Sequence, residues 1–146
     1  MRTALFGGGT VLVRELPAGV LPLDRPAAAE TRFWDVLAVT RRGCALLASS
    51  SVRVRCGTLL LPDALAKQAL ARITADRAVG VGLDRRDSLT FSSLTEGAVL
   101  CVQRTLLRPG GGTVEPQEIP LPPLTLPPED ALLLWGLRLL LDGPPG

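Results

Sequence analysis

The C-terminal segment PPEDALLLWGLRLLLDG constrains the fold more than any other part of the chain. Pro128 suits the first position of a helix, because the amide that proline lacks would have no intrahelical partner there. Glu129 and Asp130 suit the positive end of the helix dipole, and Gly143 is a favourable stop. The segment therefore predicts an apolar C-terminal helix over about 128–142.

This predicted helix has no polar face, since only Gly136 and Arg138 interrupt the apolar side chains between Ala131 and Leu141. Burying one leucine side chain contributes roughly 1.5–3 kcal/mol. Exposing half of this set would create a larger apolar patch than monomers usually carry. Either the chain itself covers the helix on both sides, or one side packs on the domain and the other contacts a partner. The partner-binding residues in the second case are Leu133, Leu134, Trp135, Leu137, Leu140 and Leu141.

Composition limits the domain count and the available chemistry. A chain of 146 residues suffices for one domain with a core. Its 47% hydrophobic and 21% charged residues favour a globular protein. There is no histidine, which excludes Ser-His-Asp and Cys-His nucleophilic pairs and histidine-containing zinc sites. We therefore expect no catalytic residues, no metal site and no cofactor.

The cysteines and the apolar runs bear on the compartment. Cys44, Cys56 and Cys101 form no CxxC motif and lie among apolar residues, which predicts buried, reduced thiols. The first residues lack the apolar region of a secretory signal, and no apolar run is long enough to span a membrane. The expected location is cytoplasmic or nuclear.

Most of the chain before residue 109 favours strands. The segment TVLVREL, residues 10–16, is rich in β-branched side chains. The segments WDVLAVT and CALLAS flank RRG, which is typical of a hairpin turn with Gly43 at a positive φ. SVRVRC alternates apolar and charged residues, as a strand with one buried face does.

A second helix is predicted over about 63–76. Asp63 is a favourable N-cap, and an apolar stripe follows it at helical spacing. The stripe consists of Leu65, Ala69, Leu70 and Ile73.

These elements predict an α+β fold. We expect about five to seven mostly antiparallel strands, a central amphipathic helix and an apolar C-terminal helix, rather than a doubly wound sheet. Residues 1–109 form a β-rich domain and 110–127 a connector rich in glycine and proline. Residues 128–146 carry the C-terminal helix, which packs on this domain or on a partner.

Two motifs resemble known sites without matching them. FGGGTVLV lacks the Gly-Lys-Ser/Thr ending of a phosphate-binding loop, and the nucleotide-binding motifs need a helix where we predict a strand. We interpret this segment as a β-turn. Asp84 and Asp87, with Asp76 and Glu96, could supply paired carboxylates, but DRRD is more simply a solvated turn.

The arginines form a candidate anion or nucleic-acid site. If the RRG and DRRD turns lie at one end of a sheet, four guanidinium groups gather there, and two more follow one exposed face. The net charge of only +2 and the scarcity of aromatic residues argue against such a surface. The candidates are Arg41, Arg42, Arg53, Arg55, Arg85 and Arg86.

Three functions remain open. The first is a non-catalytic protein–protein interaction subunit, an adaptor or assembly component of a larger intracellular complex, bound to another chain or to itself. The alternative is a small β-module that binds nucleic acid or another anion through its arginines, which steep salt dependence would distinguish. A small enzyme using carboxylates or a cysteine comes third.

Overall fold

The computed structural model of the protein describes residues 1–141. Within these residues it contains ten strands and five α-helices, with a short 3₁₀ helix at Asp63–Leu65. The strands are β1 (Thr3–Phe6), β2 (Val20–Leu23), β3 (Phe33–Val39), β4 (Val54–Pro62), β5 (Ile73–Val81), β6 (Leu89–Ser93), β7 (Val99–Val102), β8 (Leu106–Leu107), β9 (Thr113–Val114) and β10 (Gln117–Pro120). The helices are α1 (Thr10–Glu15), α2 (Pro26–Glu30), α3 (Arg41–Ala48), α4 (Ala66–Ala69) and α5 (Pro128–Leu141).

Eight of the strands form one mixed sheet in the order β10-β7-β6-β5-β4-β3-β1-β2. The five strands from β1 to β5 are parallel. β6 meets β5 at the single pair Val81 with Leu89 and is antiparallel to β7, which is antiparallel to β10. From β1 the chain passes to the edge strand β2 on one side and then crosses back to β3 on the other side of β1. The winding direction therefore reverses between β1 and β3.

The prediction of a mostly antiparallel α+β fold is therefore wrong. Two segments predicted as strands are the helices that connect parallel strands. TVLVRE forms α1, although its β-branched valines favour a strand, because tertiary context overrides a weak local preference. RRG is the first turn of α3 rather than a hairpin turn, and Gly43 has no positive φ. Thr40 caps this helix by accepting a 3.0 Å hydrogen bond from the Gly43 amide.

The predicted helix over 63–76 is also wrong in its extent. The 3₁₀ turn and α4 end at Ala69, and β5 begins at Ile73. Ile73 pairs with Val54, and the parallel pairing continues to the end of both strands. Leu70 is exposed rather than part of a buried stripe. The long parallel pairing of β5 with β4 thus stabilises a strand more than the helical spacing of four apolar residues stabilises a helix.

The sheet has a hydrophobic core on each face. In β1, Ala4 and Phe6 belong to one core and Leu5 to the other, as the alternation of a strand requires. The first core includes residues of α2, α3 and α4, and the second includes residues of α1 and α5. The protein thus has three layers, with the sheet in the middle.

The prediction of an apolar C-terminal helix is confirmed by α5. Its predicted end near 142 and the stop at Gly143 lie outside the described residues. Four of the proposed partner-binding residues, Leu133, Leu134, Leu137 and Leu140, are buried in this structure, and Trp135 and Leu141 are half-buried. The chain itself covers the apolar surface that the sequence left unexplained.

Segments from the glycine- and proline-rich region supply part of this cover. Leu121, Leu124 and Leu126 pack against the core that contains α5, and so does Val114 of β9. Arg108 donates a 3.0 Å hydrogen bond from Nε to the carbonyl oxygen of Leu139.

The division of the chain into 1–109, 110–127 and 128–146 stays a prediction. None of the helices between residues 1 and 141 is both long enough and apolar enough to cross a membrane.

The three thiols differ in accessibility, which allows a simple test. Cys44 and Cys56 are buried, and burial raises their pKa values to about 11 and about 12. Cys101 is half-buried, with a pKa that burial also raises. We expect an aromatic disulfide reagent at pH 8 to modify Cys101 in the folded protein and the other two only after unfolding. The Cys101→Ser variant should lose the reaction of the folded state, and rapid modification of three thiols would contradict the packing described above.

Candidate ligand-binding crevice at the carboxyl edge of the sheet

The carboxyl ends of β1, β3, β4 and β5 lie at one edge of the sheet, and two neighbouring clefts open there. In parallel sheets, ligands usually bind outside this edge, where the winding direction reverses. The first cleft, of about 520 Å³, lies at the β1/β3 reversal. The second, of about 610 Å³, lies beyond the ends of β4 and β5.

The first cleft is bordered by the glycines that follow β1. Gly7 has φ 86°, and a Cβ added there would lie 2.5 Å from backbone atoms of Gly43 and 2.6 Å from Thr40 Oγ1. The Thr40 hydroxyl donates a 2.7 Å hydrogen bond to the Gly7 carbonyl oxygen. The glycine loop thus crosses the start of α3 at a distance that only a residue without a side chain permits.

The structure removes one reason for rejecting this loop as a binding element. Gly7, Gly8 and Gly9 lead into α1, not into the strand that the sequence predicts. The loop still lacks the Gly-Lys-Ser/Thr ending of a P-loop. The Gly7 amide donates a 2.9 Å hydrogen bond to the Leu23 carbonyl oxygen, so within residues 1–141 the loop amides that remain for a ligand are those of Gly8 and Gly9.

The charged wall of the first cleft comes from the first turns of α3 and α5. Arg41 and Glu129 form a bidentate pair, with Nε to Oε1 at 3.1 Å and Nη2 to Oε2 at 2.8 Å. The hydrogen bond to Glu129 raises the pKa of Arg41. Arg42 and Asp130 also line the cleft, and burial, followed by the charge of Glu129, raises the pKa of Asp130. The Arg41–Glu129 pair lines the second cleft as well and therefore stands between the two.

The second cleft is mainly acidic. Its lining includes Asp63, Asp84 and Asp87, together with Arg86. Asp87 is only 4% exposed and accepts a 2.9 Å hydrogen bond from the Asp84 amide at Oδ2. Burial raises the pKa of Asp87, whereas hydrogen bonds from the Arg86 amide and side chain lower that of Asp84. Within residues 1–141, no three carboxylate or thiol groups are placed to hold a metal ion.

The predicted carboxylate set is only partly assembled. Asp84 and Asp87 share the second cleft, whereas Asp76 is exposed in the middle of β5 and Glu96 lies in the exposed turn before β7. The DRRD turn contains an internal pair between Arg86 and Asp84 at 3.4 Å. The turn thus contributes both to its own charge pairing and to the wall of the cleft.

The candidate arginines divide between the carboxyl ends and the amino ends of the parallel strands. Arg41 and Arg86 line the second cleft and Arg42 the first, so the two arginine-containing turns do lie at one edge. Arg53 and Arg55 lie at the amino end of β4, at the opposite edge. Arg85 is exposed in the DRRD turn, where its carbonyl oxygen accepts a hydrogen bond from Gln103.

The sequence does not single out Thr40 or Glu129 as site residues, and it predicts a β-turn for the glycine loop that contains Gly7. Thr40, Gly7 and Glu129 come together there from segments far apart in the chain. The available signals were a threonine between a buried strand and a polar turn, which is typical of an N-cap, and glycines directly after a short apolar run.

No protein-family model, curated protein or solved structure matches the chain. The crevice must therefore be interpreted from its own residues.

The buried carboxyl of Asp87 gives a pH-dependent prediction. Its pKa in the folded protein lies above the ordinary 3.8, so the folded state binds more protons than the unfolded state between the two values. The contribution of this group to the free energy of unfolding therefore falls as the pH rises through that window. Asp87→Asn removes the ionisable group while its amide oxygen can still accept the Asp84 amide.

We expect Asp87→Asn to gain stability relative to the natural protein as the pH is raised from 3 to 7. Urea denaturation at several pH values measures the difference in the free energy of unfolding. Asp76→Asn, the same change at an exposed carboxylate, is the control. If the free energy of unfolding of Asp87→Asn, relative to that of the natural protein, stayed constant or fell with rising pH, the burial of a charged carboxylate at this position would be contradicted.

Proposed function

We propose that the protein binds a small ligand carrying a phosphate or carboxylate group in the first cleft at the carboxyl edge of its sheet. The observation that carries this proposal is the meeting of a glycine loop and two arginines at the β1/β3 reversal, beside a cleft of about 520 Å³. Backbone amides beside a glycine loop and arginine side chains are common ligands of oxyanions.

Arg42 is the residue that supports the proposal most directly. It is exposed at the cleft, and its guanidinium makes no hydrogen bond or ion pair with the residues from 1 to 141. Arg41, by contrast, already binds Glu129. A ligand oxyanion can therefore use Arg42 without first displacing another group.

The distribution of arginines favours a small ligand over a nucleic acid. A nucleic-acid surface would need a continuous row of cations along the backbone of the nucleic acid. The six candidate arginines are split between opposite edges of the sheet, and acidic residues interrupt those at the carboxyl edge.

The interaction-subunit hypothesis stays a prediction, but the apolar helix no longer supports it. Leu133 and Leu137 have no exposed surface, and the chain itself covers them. A partner that bound these leucines would have to separate α5 from the sheet.

Calorimetric titration with inorganic pyrophosphate tests the proposal. We expect binding that weakens as salt is added, and Arg42→Gln should weaken it about tenfold or more, since a hydrogen bond to a charged group contributes roughly 1.5–3 kcal/mol. Arg55→Gln is the matched control, because it makes the same change at the opposite edge. The proposal would be contradicted if neither the natural protein nor Glu129→Gln, which removes one negative charge from the cleft, bound pyrophosphate. Equal losses of affinity in Arg42→Gln and Arg55→Gln would also contradict it.

A further inference from the structure

We infer that Glu129 is an internal competitor for the ligand anion, because its carboxylate occupies the guanidinium of Arg41 until the ligand displaces it. This inference rests on the proposed function and adds a regulatory contact to that site. It assigns Arg41 a second role, as an anion-binding residue that is masked in the ligand-free protein.

The geometry of the pair supports this exchange. Glu129 uses both carboxylate oxygens on one edge of the guanidinium, at 3.1 Å and 2.8 Å. A phosphate or a carboxylate binds arginine through the same two parallel hydrogen bonds. The Glu129 carboxylate therefore stands where a ligand oxyanion would stand.

The exposure of the pair makes displacement inexpensive. The side chain of Arg41 is 61% exposed and that of Glu129 is 29% exposed. Ion pairs at this level of exposure contribute little to stability, because water and salt screen them. Opening the pair therefore costs a ligand about 1 kcal/mol or less, which is about fivefold in affinity.

The exchange needs only a side-chain movement. Ala131 and Leu132, which follow in α5, are buried, and the Ala131 amide donates a 2.9 Å hydrogen bond to the Pro127 carbonyl oxygen. These contacts fix the backbone on both sides of Glu129. Because Glu129 lines both clefts, its side chain has space to rotate away from Arg41 without a shift of the helix.

The same contact predicts which ligands compete best. A group with two acceptor oxygens on one centre, such as phosphate or carboxylate, can replace the Glu129 carboxylate bond for bond. A spherical anion such as chloride has a single acceptor atom and cannot reproduce two parallel bonds, so it should bind more weakly at the same ionic strength.

The experiment compares pyrophosphate affinity in the natural protein and in Glu129→Gln. The variant keeps the length of the side chain but removes its charge, so we expect about fivefold tighter binding, the upper range for an exposed ion pair. Glu118→Gln makes the same change on the distant edge strand β10 and should leave the affinity unchanged. Glu129→Ala serves as a second variant, and thermal unfolding followed by circular dichroism verifies that each variant is folded.

The outcomes separate this inference from the proposed function. If neither the natural protein nor either Glu129 variant binds pyrophosphate, both are wrong. If the natural protein binds and Arg42→Gln weakens binding, but the Glu129 variants bind no more tightly, the proposed function stands and the competition does not. Equal gains in Glu129→Gln and Glu118→Gln would reflect overall charge and would also overturn the competition. In an Arg41→Gln background, Glu129→Gln should give a smaller gain than in the natural protein, and an undiminished gain would contradict the role of Arg41.

Discussion

Replacement of Leu137 by alanine is expected to lower the free energy of unfolding by about 2–5 kcal/mol, as for other fully buried leucines. Leu137 has no exposed surface and belongs to the core between α5 and the sheet. The change removes apolar contacts and leaves a cavity that a sheet and a helix cannot readily close. Urea denaturation of the isolated chain measures the effect.

Leu83→Ala is the matched control for this prediction. The side chain of Leu83 is 67% exposed, so the same change should alter the free energy of unfolding by less than about 0.5 kcal/mol. Similar small effects at both positions would mean that α5 does not pack on its own sheet. The leucines of α5 would then again be available to a partner.

Gly7→Ala is expected to destabilise the protein by about 3 kcal/mol. A positive φ costs an alanine roughly 1–2 kcal/mol, and forcing an extra group into a packed site costs a further 1–3 kcal/mol or so. Both costs apply, because Gly7 has φ 86° and its added Cβ would collide with the backbone of Gly43. Thermal and urea denaturation both report the change.

The same substitution two residues later provides the control. Gly9 has no positive φ, and an added Cβ would meet no atom within 4 Å. Gly9 is the N-cap of α1, where alanine is less favourable than glycine, so Gly9→Ala should cost about 1 kcal/mol or less. Equal tolerance of alanine at both positions would contradict the close crossing of the glycine loop and α3.

The sequence predicted those elements whose signals are local. α5 combines a proline at its first position, two acidic residues in its first turn and a long apolar run, and the structure places it at Pro128–Leu141. The region from Val54 to Cys56 alternates buried and exposed residues in the strand β4, as the sequence pattern indicates. Each of these two predictions depends only on the residues of the element itself.

The errors have two physical causes. α1 and α4 contain six and four residues, too few for an amphipathic period to appear. Parallel pairing also connects segments that are distant in the chain, and a crossover that contains α3 joins β3 to β4 in place of the predicted hairpin turn. The prediction of a turn at RRG is wrong because most of CALLAS, the predicted second strand, belongs to α3.

The crevice could not be derived from local patterns. Gly7 and Thr40 follow the ends of β1 and β3, and Glu129 lies in the first turn of α5, so only the tertiary structure brings the three together. The sequence did indicate that the two arginine-containing turns could lie at one end of a sheet, and Arg41 and Arg86 do line one cleft. The opposite placement of Arg53 and Arg55 follows from the direction of β4 alone.

Backbone nuclear Overhauser effects test the central arrangement most directly, because the crevice exists only if β1 lies between β2 and β3. We expect contacts from β1 to both neighbours in parallel register, with Leu5 opposite Pro22 on one side and opposite Ala38 on the other. We also expect helical contacts through Thr10–Glu15. Strand-type contacts in that segment, with antiparallel pairing of β1 to it, would contradict the fold and remove the crevice.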